Sequence, residues 1–232
     1  MSHAIPLYIG YDPREAACYH VFCQSVLDKA TVPVAFHPLH SPMLADFDGQ
    51  KDGSNAFIYS RFLPPYLQNF SGWAIFADGD MVVMEDIAKL WALREQFAFD
   101  KAVAVVQHDY KTKHQRKYIG TPMEADNASY PRKNWSSVIL WNCAHAANRL
   151  LTPEFITESP GSFLHRFSWL KDSQIGELPP EWNALSMEQD TGAASLIHYT
   201  LGAPGFAHYA HCDASEPWHR AKRHAMHMIG EK

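Results

Sequence analysis

The chain has 232 residues, of which 47% are hydrophobic and 13% aromatic, enough for a sizeable core. Only 19% are charged and the net charge is −5 at pH 7, which disfavours extensive disorder and generic polyanion binding. The longest apolar runs are too short for a membrane-spanning helix, which needs about 20 residues, so no transmembrane segment is predicted. No signal-peptide layout and no C-x-x-C pair are present, so we expect reduced thiols and a cytoplasmic location.

Strands and helices alternate through the first half of the chain. An apolar, β-prone run at 6–11 predicts the first strand, and Asp12, Pro13 and Glu15 predict a capping box that starts the next helix. The other predicted elements are strands at 32–36, 73–77, 81–84 and 102–107, a loop at 41–55, a helix at 59–69 interrupted by Pro64-Pro65, and a helix from Asp86 to about 97. This order predicts one mixed α/β domain.

The second half is less regular. Residues 108–133 have little periodicity and carry several Lys and Arg, which predicts a long loop that becomes ordered as a lid when a ligand binds. It is followed by a predicted strand at 136–141, short helices, a strand near 195–199 and a His-rich helical tail.

Two carboxylates follow the buried strand at 73–77. Asp78 and Asp80 are separated by Gly79, so in an extended segment both side chains leave the same face and can reach one ion. Ligands of open α/β sheets bind beyond the carboxyl ends of the strands, and carboxylates without thiols favour Mg²⁺ or Mn²⁺. The alternative interpretation is an ordinary β-turn.

Five segments, in order over residues 6–204, resemble the GT-A glycosyltransferases, specifically the retaining family 8 type. They are LYIGYDPRE (7–15), IYSRFLPPYL (58–67), FADGDMVVMEDI (76–87), LPPEWNAL (178–185) and IHYTLGAP (197–204). The resemblance implies a GT-A fold, an α/β nucleotide-binding sheet flanked by helices. It further implies a nucleotide-sugar half at 1–107, a lid at 108–133 and an acceptor half with the tail at 134–232.

The resemblance also assigns roles to residues. Asp78, Asp80 and His198 match the metal ligands, for Mn²⁺ or Mg²⁺. The positions that match donor-binding residues for a UDP-sugar are Tyr8, Gly10, Tyr11, Asp12, Arg61, Asp78 and Gly202. Arg61 matches the Arg that steadies the first Asp, while Asp172, with Gln174 beside it, most resembles the residue that contacts the transferred sugar.

The chain departs from the family pattern in several places. Trp135-Ser136-Ser137 replaces an Asn-x-Gly, Gly202 lies one position late after His198, and no Lys stands where the family has one for the diphosphate. Arg220, Lys222 or the basic segment 111–117 could replace that cation, and the segment could also be a solvated loop or meet an anionic acceptor.

Other histidines and cysteines have competing interpretations. His198 alone could be a hydrogen-bonded core residue, and His208, His211 and Cys212 could indicate zinc, although no fourth ligand has a convincing spacing. Two functions therefore compete. One is a metal-dependent transferase that moves a hexose from UDP-glucose or UDP-galactose to a glycan, a lipid-linked sugar or, less expected, nucleic acid, with retention. The other is a non-catalytic nucleotide-sugar or carbohydrate-binding protein on the same fold.

Overall fold

A six-stranded mixed sheet forms the centre of the protein. The computed structural model describes residues 4–44, 47, 55–97 and 100–227. The strands are β1 (Ile5–Gly10), β2 (Val34–Leu39), β3 (Trp73–Ala77), β4 (Met81–Val83), β5 (Val103–Val105), β6 (Arg116–Lys117), β7 (Ala125–Asp126), β8 (Val138–Asn142), β9 (Ile175–Glu177), β10 (Ala184–Leu185) and β11 (Leu196–His198). The central sheet has the order β2-β1-β3-β8-β5-β9.

The direction of the strands is mixed because β8 runs against its neighbours. β1 pairs in parallel with β2 and β3, and β5 pairs in parallel with β9, whereas β8 is antiparallel to both β3 and β5. Strands β3, β5 and β8 are almost wholly buried, as expected for continuous apolar runs covered on both faces. The predicted α/β class and the predicted strands at these positions are confirmed.

Seven α-helices lie within the described residues. They are α1 (Ala16–Leu27), α2 (Pro64–Leu67), α3 (Ile87–Ala92), α4 (Arg94–Phe97), α5 (Pro153–Glu158), α6 (Gly161–His165) and α7 (Ser215–Met226). The predicted helix at 59–69 is a 3-10 turn at Ser60–Phe62 followed by α2, because proline cannot continue the preceding turn. Asp86 caps α3 as predicted, its side chain accepting from the Ala88 N–H at 2.9 Å.

The predicted capping box after β1 is half wrong. Asp12 does accept from the Arg14 N–H at 2.9 Å, but residues 13–15 form a 3-10 helix and α1 begins only at Ala16. Neither carboxylate oxygen of Glu15 has a hydrogen-bond partner. The side chain of Glu15 is buried instead of folding back onto the cap, which removes the reciprocal bond that defines the box.

A smaller sheet connects the middle of the chain with its end. It has the order β10-β11-β4, with β11 antiparallel to β4, so that His198 stands opposite Met81. The Tyr199 N–H also donates to the Asp80 carbonyl at 3.0 Å. This pairing fixes the end of β11 beside the turn that connects β3 to β4.

Residues 108–133 form more structure than the predicted loop. β6 and β7 make a two-stranded antiparallel hairpin, and Arg116 pairs across it with Asp126 at 2.8 Å. Tyr118, just after β6, is buried, and its N–H donates to the Leu201 carbonyl at 2.6 Å. Strands of two residues are too short to leave a hydrophobic period in the sequence, so this hairpin could not be predicted.

The remaining expectations are resolved in part. The predicted loop at 41–55 includes a 3-10 turn at Ser41–Met43, and its other residues lie mainly outside the described part of the chain. All four cysteines are free. Among the described residues no helix combines the length and the apolarity that crossing a membrane requires.

Candidate functional site

Asp78, Asp80 and His198 meet where β3 ends and β11 ends. The Nε2 atom of His198 lies 3.4 Å from Oδ1 of Asp80 and 3.9 Å from Oδ2 of Asp78. One ligand atom from each residue lies within 4.8 Å of the others, and all three side chains are buried. Gly79 permits the close approach of this turn to the end of β1, because a Cβ there would stand 2.4 Å from the Gly10 carbonyl oxygen.

Asn183 determines which nitrogen of His198 faces the carboxylates. Its Nδ2 donates to Ser137 Oγ at 2.8 Å and to the Asn134 carbonyl at 3.2 Å, so its Oδ1 must be the atom 3.1 Å from His198 Nδ1. His198 Nδ1 is therefore the N–H donor, and Nε2 turns its lone pair toward two carboxylates. Lone pairs that face one another in a buried site repel unless a proton or a cation lies between them.

The site therefore fits a divalent cation. Oδ1 of Asp80 is buried without a hydrogen-bond partner, which is costly for a carboxylate unless a cation compensates it. Two carboxylates and one imidazole suit Mn²⁺ or Mg²⁺. Within the described residues no second cluster of this kind exists, so the zinc alternative at His208, His211 and Cys212 gains no support.

Arg61 balances part of the negative charge. Its Nη1 lies 2.9 Å from Oδ1 of Asp78 and donates to the Ser136 carbonyl at 3.0 Å. Burial raises the pKa of Asp78 to about 6; Arg61 opposes the increase, and the neighbouring Asp80 adds to it. The charge of the buried Asp78 carboxylate is thus only partly compensated by Arg61.

Glu15 adds a further buried acid beside the cluster. Burial raises the pKa of Glu15 well above its usual range, and Asp80, Asp12 and Asp78 raise it further. The Tyr118 hydroxyl donates to Oδ2 of Asp80 at 3.4 Å, which connects the hairpin to this acidic centre. This arrangement could not be predicted, because Glu15 in the sequence matches the acidic position of a capping box.

A cavity of about 430 Å³, the central cavity, opens onto the cluster. Among the residues predicted to bind metal or donor, Arg61, Asp78, Asp80 and His198 lie on its wall. The wall also includes Tyr59, Lys117, Tyr118, Tyr130, Asn134, Ser136, Ser137, His165, Arg166 and Thr200. Its size suits a small-molecule ligand.

The other predicted donor-binding residues do not line this cavity. Gly10 is covered by the Phe57 ring, which would stand 2.2 Å from a Cβ at that position. Asp12 is buried and bonded to Arg14 and to the Ala56 N–H at 2.9 Å. The other three predicted donor-binding residues also pack against side chains of this chain. Tyr8 stacks on His37, Tyr11 packs against Tyr19 and His40, and Gly202 is covered by Tyr209.

Asp172 and Gln174, the predicted sugar-contacting residues, also lie outside the cavity. The Asp172 side chain is 90% exposed and pairs with Arg132 at 2.6 Å, while Gln174 Oε1 accepts from the Lys171 N–H at 2.9 Å. These residues form a 3-10 turn that leads into β9 at the far edge of the central sheet. The physical reason is the direction of β9, which runs the same way as β3, so that a turn preceding β9 lies at the end of the sheet opposite to the carboxyl end of β3.

His165 and Lys117 are cavity residues that sequence reasoning missed or left among alternatives. His165 Nδ1 lies 2.7 Å from Ser136 Oγ, and burial lowers the pKa of His165 well below its usual range, with Arg61 and Lys117 adding to the effect. The imidazole is therefore neutral. Nothing in the sequence around His165 marks it.

Lys117 lies on the cavity wall near the two carboxylates. Burial lowers the pKa of Lys117, while Asp80 and Asp78 raise it. The other predicted replacements for the diphosphate cation, Arg220 and Lys222, are exposed residues of α7 and do not line the cavity. Only the 111–117 alternative therefore brings a cation to this wall.

The chain is similar to one curated protein and to several solved glycosyltransferases. It is 39% identical to Protein CDI of Arabidopsis thaliana over 225 residues, covering 91% of this chain and 83% of that protein. No protein family model matches the chain.

The structural neighbours share the fold at low sequence identity. The WbbM bifunctional glycosyltransferase has a TM-score of 0.61 at 15% identity, over 96% of this chain and 50% of that one. GlyE of Streptococcus pneumoniae has a TM-score of 0.59 at 11% identity, over 95% of this chain and 60% of that one. The galactosyltransferase LgtC, solved with donor and acceptor sugar analogs, has a TM-score of 0.53 at 10% identity, over 97% and 98%. The fold is therefore of the GT-A type, as predicted.

Proposed function

Because the chain belongs to the same family as Protein CDI of Arabidopsis thaliana and has a GT-A-type fold, we propose that it is a metal-dependent glycosyltransferase. It moves a hexose from a nucleotide sugar, UDP-glucose or UDP-galactose, to an acceptor with retention of configuration, as in family 8. The observation that carries the proposal is the Asp78, Asp80 and His198 cluster on the wall of a 430 Å³ cavity.

The chain's own residues have distinct tasks in this proposal. Asp78, Asp80 and His198 would hold Mn²⁺ or Mg²⁺, which when bound supplies positive charge for the leaving diphosphate. Arg61 keeps the Asp78 carboxylate in place through its 2.9 Å ion pair. Asn183 keeps His198 in the tautomer whose Nε2 can bind a metal.

Two further cavity residues act on the substrates. Lys117 adds a positive charge on the wall where the diphosphate would leave, in place of the lysine that the family has elsewhere. Neutral His165, bonded to Ser136 Oγ at 2.7 Å, offers a hydrogen-bond partner to a sugar hydroxyl. The single-domain organisation, the acceptor class and the cytoplasmic location stay predictions.

A specific observation favours the second candidate, a non-catalytic binding protein on the same fold. Gly10 and Asp12, predicted to contact the nucleotide, are packed against Phe57 and Arg14 of the same chain. A carbohydrate ligand without a nucleotide would need only the central cavity. The two candidates therefore differ in whether a nucleotide binds.

Calorimetry tests the proposal directly. UDP-glucose, UDP-galactose, GDP-mannose and the free sugars glucose and galactose are titrated with and without Mn²⁺, and hydrolysis of each nucleotide sugar is followed in parallel. We expect Mn²⁺-dependent binding of a UDP-sugar, lost in Asp80→Asn and kept in Asp109→Asn, an exposed acid outside the cavity. Metal-independent binding of free sugars, with no nucleotide binding, would favour the second candidate instead.

A further inference from the structure

A second, smaller cavity adjoins the central one. This side cavity has a volume of about 190 Å³ and shares Lys117, Tyr130, Asn134 and Thr200 with the wall of the central cavity. A molecule that extends from the acidic cluster past these shared residues therefore enters the side cavity. Lys133 lines the side cavity and not the central one.

The wall of the side cavity carries two lysines. Lys133 is buried, and its Nζ donates to Asn127 Oδ1 at 2.5 Å and to the Ala128 carbonyl at 2.7 Å. An ammonium has three N–H donors, so these two hydrogen bonds leave one N–H for a ligand, on an Nζ that lies 5.4 Å from the centre of the Tyr130 ring. Lys117 is the second lysine of the wall.

The charge of Lys133 is poorly compensated, because both of its hydrogen bonds go to neutral oxygens. Burial lowers the pKa of Lys133 to about 8, and Lys117 lowers it further, while Glu188 opposes the shift. Glu188 does not line the cavity and accepts bonds from the Thr112 hydroxyl and the Lys113 N–H. The one acid on the wall, Asp126, points its charge toward Arg116 at 2.8 Å.

Tyr130 supplies an apolar face between the two cavities. It lines both and is 43% exposed, although aromatic side chains of this size are usually more deeply buried. A sugar ring can pack its C–H face against an aromatic ring while its substituents reach polar groups on either side. A cationic cavity beside an exposed aromatic ring thus suits a sugar that carries an anionic group.

We propose that the side cavity binds the anionic group, a phosphate or a carboxylate, of a charged sugar acceptor whose ring lies against Tyr130. That the bound sugar is an acceptor rests on the proposed function. The anion site itself depends only on Lys117 and Lys133. An anion there receives a charge-assisted hydrogen bond from Lys133 and neutralises the repulsion between the two lysines. The acceptor hydroxyl then lies on the side of the acidic cluster.

Three probes of similar size separate the charge from the sugar. Glucose 6-phosphate, glucuronate and glucose are titrated into the protein with UDP and Mn²⁺ in calorimetry, and with UDP and diamagnetic Mg²⁺ when backbone amide shifts are recorded. We expect the better of the two anionic probes to bind at least about tenfold more tightly than glucose, the amount one charge-assisted hydrogen bond supplies. Comparing the two anionic probes tells phosphate from carboxylate.

Variants assign the preference to the side cavity. Lys133→Met should abolish it, whereas Lys29→Met, at an exposed lysine just after α1, should retain it. If Lys133→Met does not fold, the amide shifts of the unmodified protein decide, because the anionic probes must then perturb residues 127–133 more than glucose does. The inference is overturned by equal affinities for all three probes, by an unchanged preference in a folded Lys133→Met, by shifts confined elsewhere, or by probes that displace UDP.

The same samples report on the proposed function separately. Binding of UDP with Mn²⁺ is measured before any probe is added, and the titrations are repeated without UDP. Loss of UDP binding with a retained preference for an anionic probe refutes the transferase and leaves the anion site. Normal UDP binding without a preference for an anionic probe refutes the anion site and leaves the proposed function standing.

Discussion

Asn183 offers the sharpest test of how the acidic cluster is organised. It is fully buried and makes three hydrogen bonds, to His198 Nδ1, to Ser137 Oγ and to the Asn134 carbonyl. Replacing Asn183 by Ala removes all three and leaves the Nδ1–H of His198 without an acceptor. At about 1 kcal/mol per bond, the free energy of unfolding should fall by about 3 kcal/mol.

Metal affinity should fall as well. A partner that fixes the tautomer and the ring orientation of a metal-binding histidine typically contributes about 10–100-fold to the affinity. We therefore expect Asn183→Ala to bind Mn²⁺ about 10–100-fold more weakly than the unmodified protein. Calorimetric titration with Mn²⁺ measures this affinity, and urea unfolding of the same samples measures the stability.

Asn183→Asp is the matched control. It retains an acceptor for His198 Nδ1 and loses only the two donated bonds, so it should be destabilised yet bind Mn²⁺ at least as tightly as the unmodified protein. The reasoning would be refuted if Ala and Asp weakened Mn²⁺ binding equally. An Ala variant with lower stability but unchanged Mn²⁺ affinity would remove His198 from the metal site.

Three more outcomes follow from the site and the core. Asp80→Asn should weaken Mn²⁺ binding by at least about 100-fold in calorimetry, because a ligand contributes more than its outer partner. The increase in melting temperature caused by Mn²⁺ should be large at pH 7.5 and small at pH 5. Burial raises the pKa of Asp78 to about 6, and below that value its proton competes with the metal. An equally large increase at pH 5 would contradict this. Gly10→Ala should lower the free energy of unfolding by about 1–3 kcal/mol in urea, because its Cβ would stand 2.2 Å from the Phe57 ring.

The parts of the fold that could be predicted are those with strong local signals. The apolar run at 73–77 and the capping residue Asp86 both behave as the sequence indicates. The β6–β7 hairpin and the 3-10 turn at Ser60–Phe62 could not be predicted. Such short elements are held by tertiary contacts and leave no periodicity of their own in the sequence.

The same division holds for the site. Asp78 and Asp80 could be located because they directly follow a buried strand, and His198 because it ends another. Lys133 could not, because its position depends on bonds to Asn127 and Ala128 within a segment that has no sequence period. Asp172 lies outside the central cavity, so its predicted contact with the transferred sugar stays a prediction.

The central position of β8 has a consequence for how the chain is synthesised and folds. β3 is complete once residue 77 has formed, yet its second neighbour, at Val138–Asn142, emerges about 60 residues later. Until then one edge of β3, a run of buried apolar residues in the finished sheet, presents unpaired backbone groups. At roughly 5–20 residues per second this exposure lasts several seconds during translation. Before β8 inserts, this edge of the nascent chain can pair with another chain, so we expect the interval to favour aggregation.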